Sequence, residues 1–271
     1  MPITPTQRSE FDRRGILRLP GLLSAGCVRR ARDYVQQRLA PIGLWKNDGW
    51  HLDAIPRPQW PKTGLKPGEV IGNKHPDIEA LLDEPSLLAA VNTLLGGCAP
   101  DRTLFPRPQL LFTLPNADTW TVPTGWHADF PRLASGRRPG LQLFACLDTV
   151  EPRGGGTLVV AGSHLLLNEG RVIKTKEITR LLRREAFFQA LFSDGPERPH
   201  LNHPGKTGDV TLELVELTGA PGDVYLMDLR VLHAATPNAS AHPRIMATHR
   251  FMCEDTGLEL SKAFGWRPAT P

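Results

Sequence analysis

Short apolar runs bounded by turn residues follow one another through the second half of the chain. Six of them read as strands: LLFTL at 110–114, GLQLFACL at 140–147, TLVV at 157–160, VTLELVEL at 210–217, GDVYLMD at 222–228 and RIMATHRFM at 244–252. PNAD, PRGGG, GAPGD and TPNASAHP separate them as turns. The first forty residues read as strand then helix. GILRLPGLL is broken by Pro20 and Gly21, and Ser24 caps a helix through about Leu39 with Val28, Ala31, Val35 and Leu39 on one stripe. Residues 41–75 read as loop with short extended pieces. A second helix, Pro76–Leu95, is interrupted at Pro85 and stopped by Gly96-Gly97. A third, Lys176–Phe192, precedes a polar loop at 193–208. Together they form an insert of the kind that covers a site.

Many strands and few helices predict a mainly β chain with flanking helices, built as a sandwich or barrel. The length of 271 residues suits one domain. Its expected parts are a helical N-terminal support at 1–100, a β core at 103–164 and 209–254, and a lid-like insert at 165–208. Pro (26) and Gly (25) are abundant, which favours turn-rich β structure over a helical bundle. The net charge of +4 is spread along the chain, and no Lys/Arg tract marks a nucleic-acid partner. No apolar run approaches membrane-spanning length, and MPITPTQRSEFDRRG lacks a secretory signal. The four cysteines show no disulfide-like spacing; Cys146 and Cys253 read as small core residues. These features predict a reduced, cytoplasmic protein with a small-molecule substrate and leave its oligomeric state open.

The sharpest chemical feature is Trp126-His127-Ala128-Asp129-Phe130. In extended chain, residues two apart point the same way, so His127 and Asp129 can present an imidazole nitrogen and a carboxylate oxygen to one metal. His233, at the end of an apolar strand, is the candidate third ligand. Two histidines and one carboxylate leave open positions, which suits Fe(II) and oxygen chemistry better than structural zinc. Arg244 follows His233 by eleven residues across TPNASAHP. A hairpin there brings the pair together, with the guanidinium placed to grip a carboxylate.

These segments resemble the phytanoyl-CoA dioxygenase family of Fe(II), 2-oxoglutarate oxygenases. The likeness lies in GWHADF at 125–130, LFACLDTVEPRGGGTLVVAGSH at 143–164 and GDVYLMDLRVLHAATPNASAHPRIMATHRF at 222–251, and more loosely in FDRRGILRLPGLLSAGCV at 11–28. The resemblance implies a double-stranded β-helix core, of the jelly-roll or cupin kind. It implies His127, Asp129 and His233 as iron ligands, Arg244 on the distal carboxylate of 2-oxoglutarate, and Gln109 as a polar contact to that co-substrate. It also implies O2 as oxidant and hydroxylation of a C–H bond with release of succinate and CO2. Ala235 stands where many members carry Ser, which puts contacts beyond the triad in question. Related halogenases replace the carboxylate with a small residue; Asp129 is present here.

Two other readings compete. A non-oxidative metal-binding cupin-type protein, an isomerase or sensor, would use the same metal site without a dicarboxylate. A purely structural sandwich requires HxD, the distal His and the Arg offset to coincide by accident. Plainer readings suffice elsewhere. Gly154-Gly155-Gly156 is a turn, Gly162-Ser163-His164 a strand end, His200 and His203 surface residues, and Arg137-Arg138 a solvated pair. Trp120, Trp126 and Phe130 either line a substrate pocket or pack the mouth of the barrel.

Overall fold

The computed structural model describes residues 3–52, 71–72, 74–98, 100–167, 171–193 and 203–264. Its strands are β1 (Ile16–Leu19), β2 (Trp45–Lys46), β3 (Gly49–Trp50), β4 (Gln109–Thr113), β5 (Leu141–Cys146), β6 (Leu158–Ala161), β7 (Gly205–Thr207), β8 (Val210–Glu216), β9 (Val224–Asp228), β10 (Leu232–Ala234) and β11 (Arg244–Phe251). Two antiparallel sheets carry the fold, with orders β1-β9-β5-β11-β4 and β10-β6-β8-β7. A separate hairpin joins β2 to β3. The expected mainly β class with flanking helices is borne out.

Alternation assigns each face. From β5, Leu141, Leu143 and Ala145 enter one core together with residues of α2 (Ala25–Leu39) and α4 (Pro85–Leu94). Phe144 and Cys146, one residue out of phase, meet Val159 and Ala161 of β6 in a second core between the sheets. The outer face of the smaller sheet is covered by α5 (Thr175–Leu182) and α6 (Ala186–Leu191). Ile178, Leu182, Phe188 and Leu191 there pack on Val160, Leu212 and Leu232.

Several boundaries differ from the sequence reading. The chain begins with a helix, α1 (Pro5–Arg14), where only strand then helix was expected. It buries Phe11 alone, so it lacks an apolar stripe; a Thr4–Gln7 capping box and Gly15 define its ends. The expected second helix is split as Pro85 requires, into α3 (Pro76–Glu79), a 3-10 turn at Ala80–Asp83, and α4. The single helix expected at 176–192 is two, because Glu185 is extended and turns the chain between α5 and α6. The polar loop at 193–208 ends in β7, an edge strand on β8. His233 does not close a hairpin with Arg244 in one sheet. The chain leaves the larger sheet after Asp228, places His233 on β10 in the smaller one, and returns at Arg244.

Cys253 is not an isolated core thiol. It is bonded to Cys98 across 155 residues of sequence, with Cα atoms 6.2 Å apart, tying the chain beyond α4 to the end of β11. No spacing rule reveals a pair so far apart. Cys27 and Cys146 are buried free thiols, and burial pushes Cys146 up to about 12. Reducing the bond with dithiothreitol is expected to cost about 2–5 kcal/mol of stability, because the unfolded chain then loses a long cross-link. Urea unfolding with and without reductant measures this; identical midpoints would contradict it. Among the described residues no helix is long and apolar enough to cross a membrane.

Candidate metal centre

The segment around His127 runs beside β10. His127 and His233 form an isolated antiparallel bridge: His127 N donates to His233 O (3.0 Å) and His233 N to His127 O (2.8 Å). Alternation then divides the segment. Trp126 and Ala128 turn toward the helices α5 and α6, while His127 and Asp129 turn the other way, with His233.

One ligand atom from each of His127, Asp129 and His233 lies within 4.8 Å of the others. Nε2 of His127 is 4.0 Å from Oδ1 of Asp129, Nε2 of His233 is 3.9 Å from Oδ2, and the imidazole centroids are 4.4 Å apart. Each ring is held from behind. Nδ1 of His127 donates to Gly125 O and Nδ1 of His233 to Val231 O, both at 3.0 Å. That tautomer leaves both Nε2 lone pairs aimed at the carboxylate, the form a metal requires. Burial depresses His233 as a base more than the Asp129 carboxylate raises it, so the ring is held neutral. The donor set of two imidazoles and one carboxylate fits a divalent iron.

The strand β10 that carries His233 is braced from below. Ser163 Oγ accepts the Leu232 N–H (2.8 Å), and Arg132 donates to Ser163 O (2.6 Å) and His164 O (3.0 Å). Gly162 allows this turn. Its φ is +88°, and a Cβ there would sit 2.2 Å from Thr211 O. The GSH motif, a strand end in the sequence reading, therefore positions a candidate ligand. Arg137-Arg138 also needs correction as a solvated pair. Arg137 makes an exposed ion pair with Asp255, but Arg138 reaches the fully buried Asp228 (3.0 Å).

Arg244 is nine-tenths buried in the space between the sheets. It donates to Gly155 O (2.6 Å) and Thr113 Oγ1 (2.8 Å), and its Nε has no partner. It pairs with no carboxylate among the described residues, and burial pulls it down to about 10. The glycine run read as a turn thus also supplies an acceptor to Arg244. Gln109 stands on β4 opposite Thr248 of β11, exposed, and its side chain bonds to no described residue. Trp126 is buried and donates to Pro123 O, whereas Phe130 meets Phe105 edge-on at 6.3 Å. His203 is exposed and belongs to no metal-competent group among the described residues; His200 lies outside them. The sequence reading missed Arg250, which forks onto Asp129, with Nη2 2.9 Å from Oδ1 and Nε 3.3 Å from Oδ2. Its signal was available: residues 244, 246, 248 and 250 share one face of β11.

The sequence profile of the phytanoyl-CoA dioxygenase (PhyH) family matches residues 11–246. This chain belongs to the phytanoyl-CoA dioxygenase family. Membership brings the family's cofactors, Fe(II), 2-oxoglutarate and O2. Among solved structures, the chain is similar to the non-haem α-ketoglutarate-dependent carbocyclase SnoK of nogalamycin biosynthesis, with 20% identity, 99% of this chain and 92% of that one covered, and a TM-score of 0.57. It is similar to EctD from S. alaskensis at 19% identity, 94% and 79% coverage and a TM-score of 0.56. The epimerase SnoN, solved with Fe3+, α-ketoglutarate and nogalamycin RO, matches at 20% identity, 97% and 92% coverage and a TM-score of 0.54. At these identities the likeness is one of fold. No individual curated protein matches the chain.

Proposed function

We propose that this protein is an Fe(II)- and 2-oxoglutarate-dependent dioxygenase that hydroxylates an unactivated C–H bond of a small-molecule substrate. The observation that carries the reading is a buried cation that meets no carboxylate among the described residues, in a chain that also brings three metal-competent side chains together. A guanidinium withdrawn from water with neutral acceptors alone leaves a charge to be met by a ligand. In this reading His127, Asp129 and His233 hold the iron. Arg244 and the Thr113 hydroxyl take the far carboxylate of 2-oxoglutarate, and Gln109, on the same face of β4 as Thr113, makes a polar contact to that co-substrate.

Register supports the spacing. Phe144 lies 6.4 Å from the His233 ring and is level with Thr248 on β11. Arg244 is four residues further along that strand, roughly 13 Å at the usual rise. The long arginine side chain and an extended keto-diacid together bridge such a gap. Thr113 supplies a hydroxyl to Arg244, so Ala235 does not leave the guanidinium without one. When bound, iron and 2-oxoglutarate supply oxidative decarboxylation to succinate and CO2 and an oxidant able to take hydrogen from carbon. The chain's own task is to orient and to exclude water. The imidazoles are fixed by their Nδ1 bonds, and Phe105, Trp126 and Phe130 set apolar surface around the HxD segment. We propose also that the whole chain works as one domain, with α5 and α6 of the insert backing the smaller sheet on the face away from the candidate ligands.

Arg244→Ala is expected to weaken 2-oxoglutarate binding by about 10- to 100-fold, the worth of a hydrogen bond to a charged group. Iron binding should change little. Anaerobic calorimetry of each ligand in turn measures both. Equal losses of iron and co-substrate would count against the assigned role of Arg244 and favour the non-oxidative cupin reading. A substrate screen that couples succinate release to a mass gain of one oxygen tests hydroxylation itself. Succinate with loss of two hydrogens, or with no mass change, would replace hydroxylation by ring formation or epimerisation on the same centre.

A further inference from the structure

We propose that Arg250 is a positioning residue of the metal centre, holding Asp129 as a one-oxygen ligand. The inference rests on the iron and 2-oxoglutarate reading above. Asp129 is a buried carboxylate whose side chain is 9% exposed. Its two oxygens face the two imidazoles, one each, at 4.0 and 3.9 Å. The same two oxygens are gripped from the opposite side by Nη2 and Nε of Arg250. Arg250 is the only residue donating hydrogen bonds to this carboxylate among the described residues. A planar guanidinium meeting a planar carboxylate fixes the plane and rotation of the acid as well as its charge.

The arginine is itself held. It lies in the β11 ladder with Cα opposite Gln142, and its guanidinium sits over the Phe105 ring, 5.8 Å from the centroid. Phe105 in turn meets Phe130, the neighbour of Asp129 in the chain. Strand, ring and salt bridge therefore converge on one rotamer.

The consequence follows from counting positions. An octahedral ion offers six sites, of which two imidazoles and one carboxylate oxygen use three, and a keto-acid chelate uses two. One site remains. A carboxylate that swung to chelate through both oxygens would take it. An oxygen released from the metal on a carboxylate as withdrawn from water as that of Asp129 needs a donor, or it costs much of its desolvation. Arg250 is that donor, so one-oxygen ligation by Asp129 is the arrangement the surroundings favour.

The test compares Fe(II) affinity, by anaerobic calorimetry, in the wild type, Arg250→Gln, Arg250→Lys, Asp129→Asn and the Asp129→Asn/Arg250→Gln double variant. The expected loss in Arg250→Gln is about 10- to 100-fold, the usual effect of removing an outer partner of a metal ligand. Arg250→Lys should recover part of it, since it restores charge without the fork. In the Asp129→Asn background the Gln substitution should change little, because the interaction it removes is already gone. The 2-oxoglutarate affinity of iron-saturated Arg250→Gln should also fall, as the freed carboxylate competes for the chelate's positions. Wild-type iron affinity in Arg250→Gln, or an equal loss in both backgrounds, would overturn the proposal. If Arg250→Gln does not fold, Arg250→Lys with and without Asp129→Asn decides it by the same comparison. Failure of the wild type to bind 2-oxoglutarate would instead strike the functional reading, so the two failures are distinguishable.

Discussion

His233→Ala is expected to abolish iron-dependent turnover and to weaken iron binding by more than the roughly 10- to 100-fold that loss of an outer partner costs. His233 is the one ligand candidate carried on a strand, and its backbone bridge to His127 holds the HxD segment beside it. Its ring is buried and held neutral, with Nδ1 satisfied by Val231 O, so Nε2 is free to donate. Alanine keeps the backbone bridge to His127, which uses only N–H and C=O groups. The fold should therefore survive while the metal site does not. Iron titration and succinate release, read beside a thermal melt, check this. A variant that melts like the wild type and still holds iron equally well would remove His233 from the site.

Asp228→Asn is expected to destabilise the protein by about 3–5 kcal/mol, the cost of breaking a buried ion pair from one side. Asp228 is fully buried at the end of β9, where the chain crosses from one sheet to the other. Arg230 meets it through Nε (3.0 Å) and Nη2 (2.8 Å), and Arg138 through Nε (3.0 Å). The amide would leave the largely buried Arg230 guanidinium without its counter-charge and Arg138 with Asp12 alone. Burial alone pushes this carboxyl up. The hydrogen bonds and charge of Arg230, helped by His164 and Arg138, outweigh it and hold the group at about 2. A depressed carboxyl stabilises above its unfolded value near 4 and loses that contribution as pH falls toward 2. Urea unfolding at pH 7 and at pH 3 measures both effects. A destabilisation under about 1 kcal/mol at pH 7, or one that is larger at pH 3 than at pH 7, would contradict the account. Because His233 lies five residues beyond Asp228, the same variant should also loosen iron binding.

The strands and the convergence of His127 and Asp129 on one side of the chain were legible in the sequence because both obey a period of two. Leu141, Leu143 and Ala145 separate from Phe144 and Cys146 by alternation alone, and so do His127 and Asp129 from Trp126 and Ala128. Features that depend on pairs distant in sequence were not legible. α1 hides because it buries one residue, and its caps speak more clearly than its face. The crossing of the chain between sheets at Asp228 looks in sequence like a continued strand, since most positions of GDVYLMDLRVLHA are apolar. Cys98 and Cys253 are joined by tertiary structure alone. Arg250 escaped notice because an arginine on a strand is ordinarily solvated. Only the approach of Asp129, 121 residues away in sequence, gives it a carboxylate partner.

The most direct measurement mixes the anaerobic Fe(II) protein with 2-oxoglutarate and follows the visible spectrum. A weak charge-transfer band that saturates at one co-substrate per chain, and disappears in His233→Ala, is the expected result. Iron that binds without any such band, at co-substrate concentrations that saturate the protein by calorimetry, would contradict chelation at this triad.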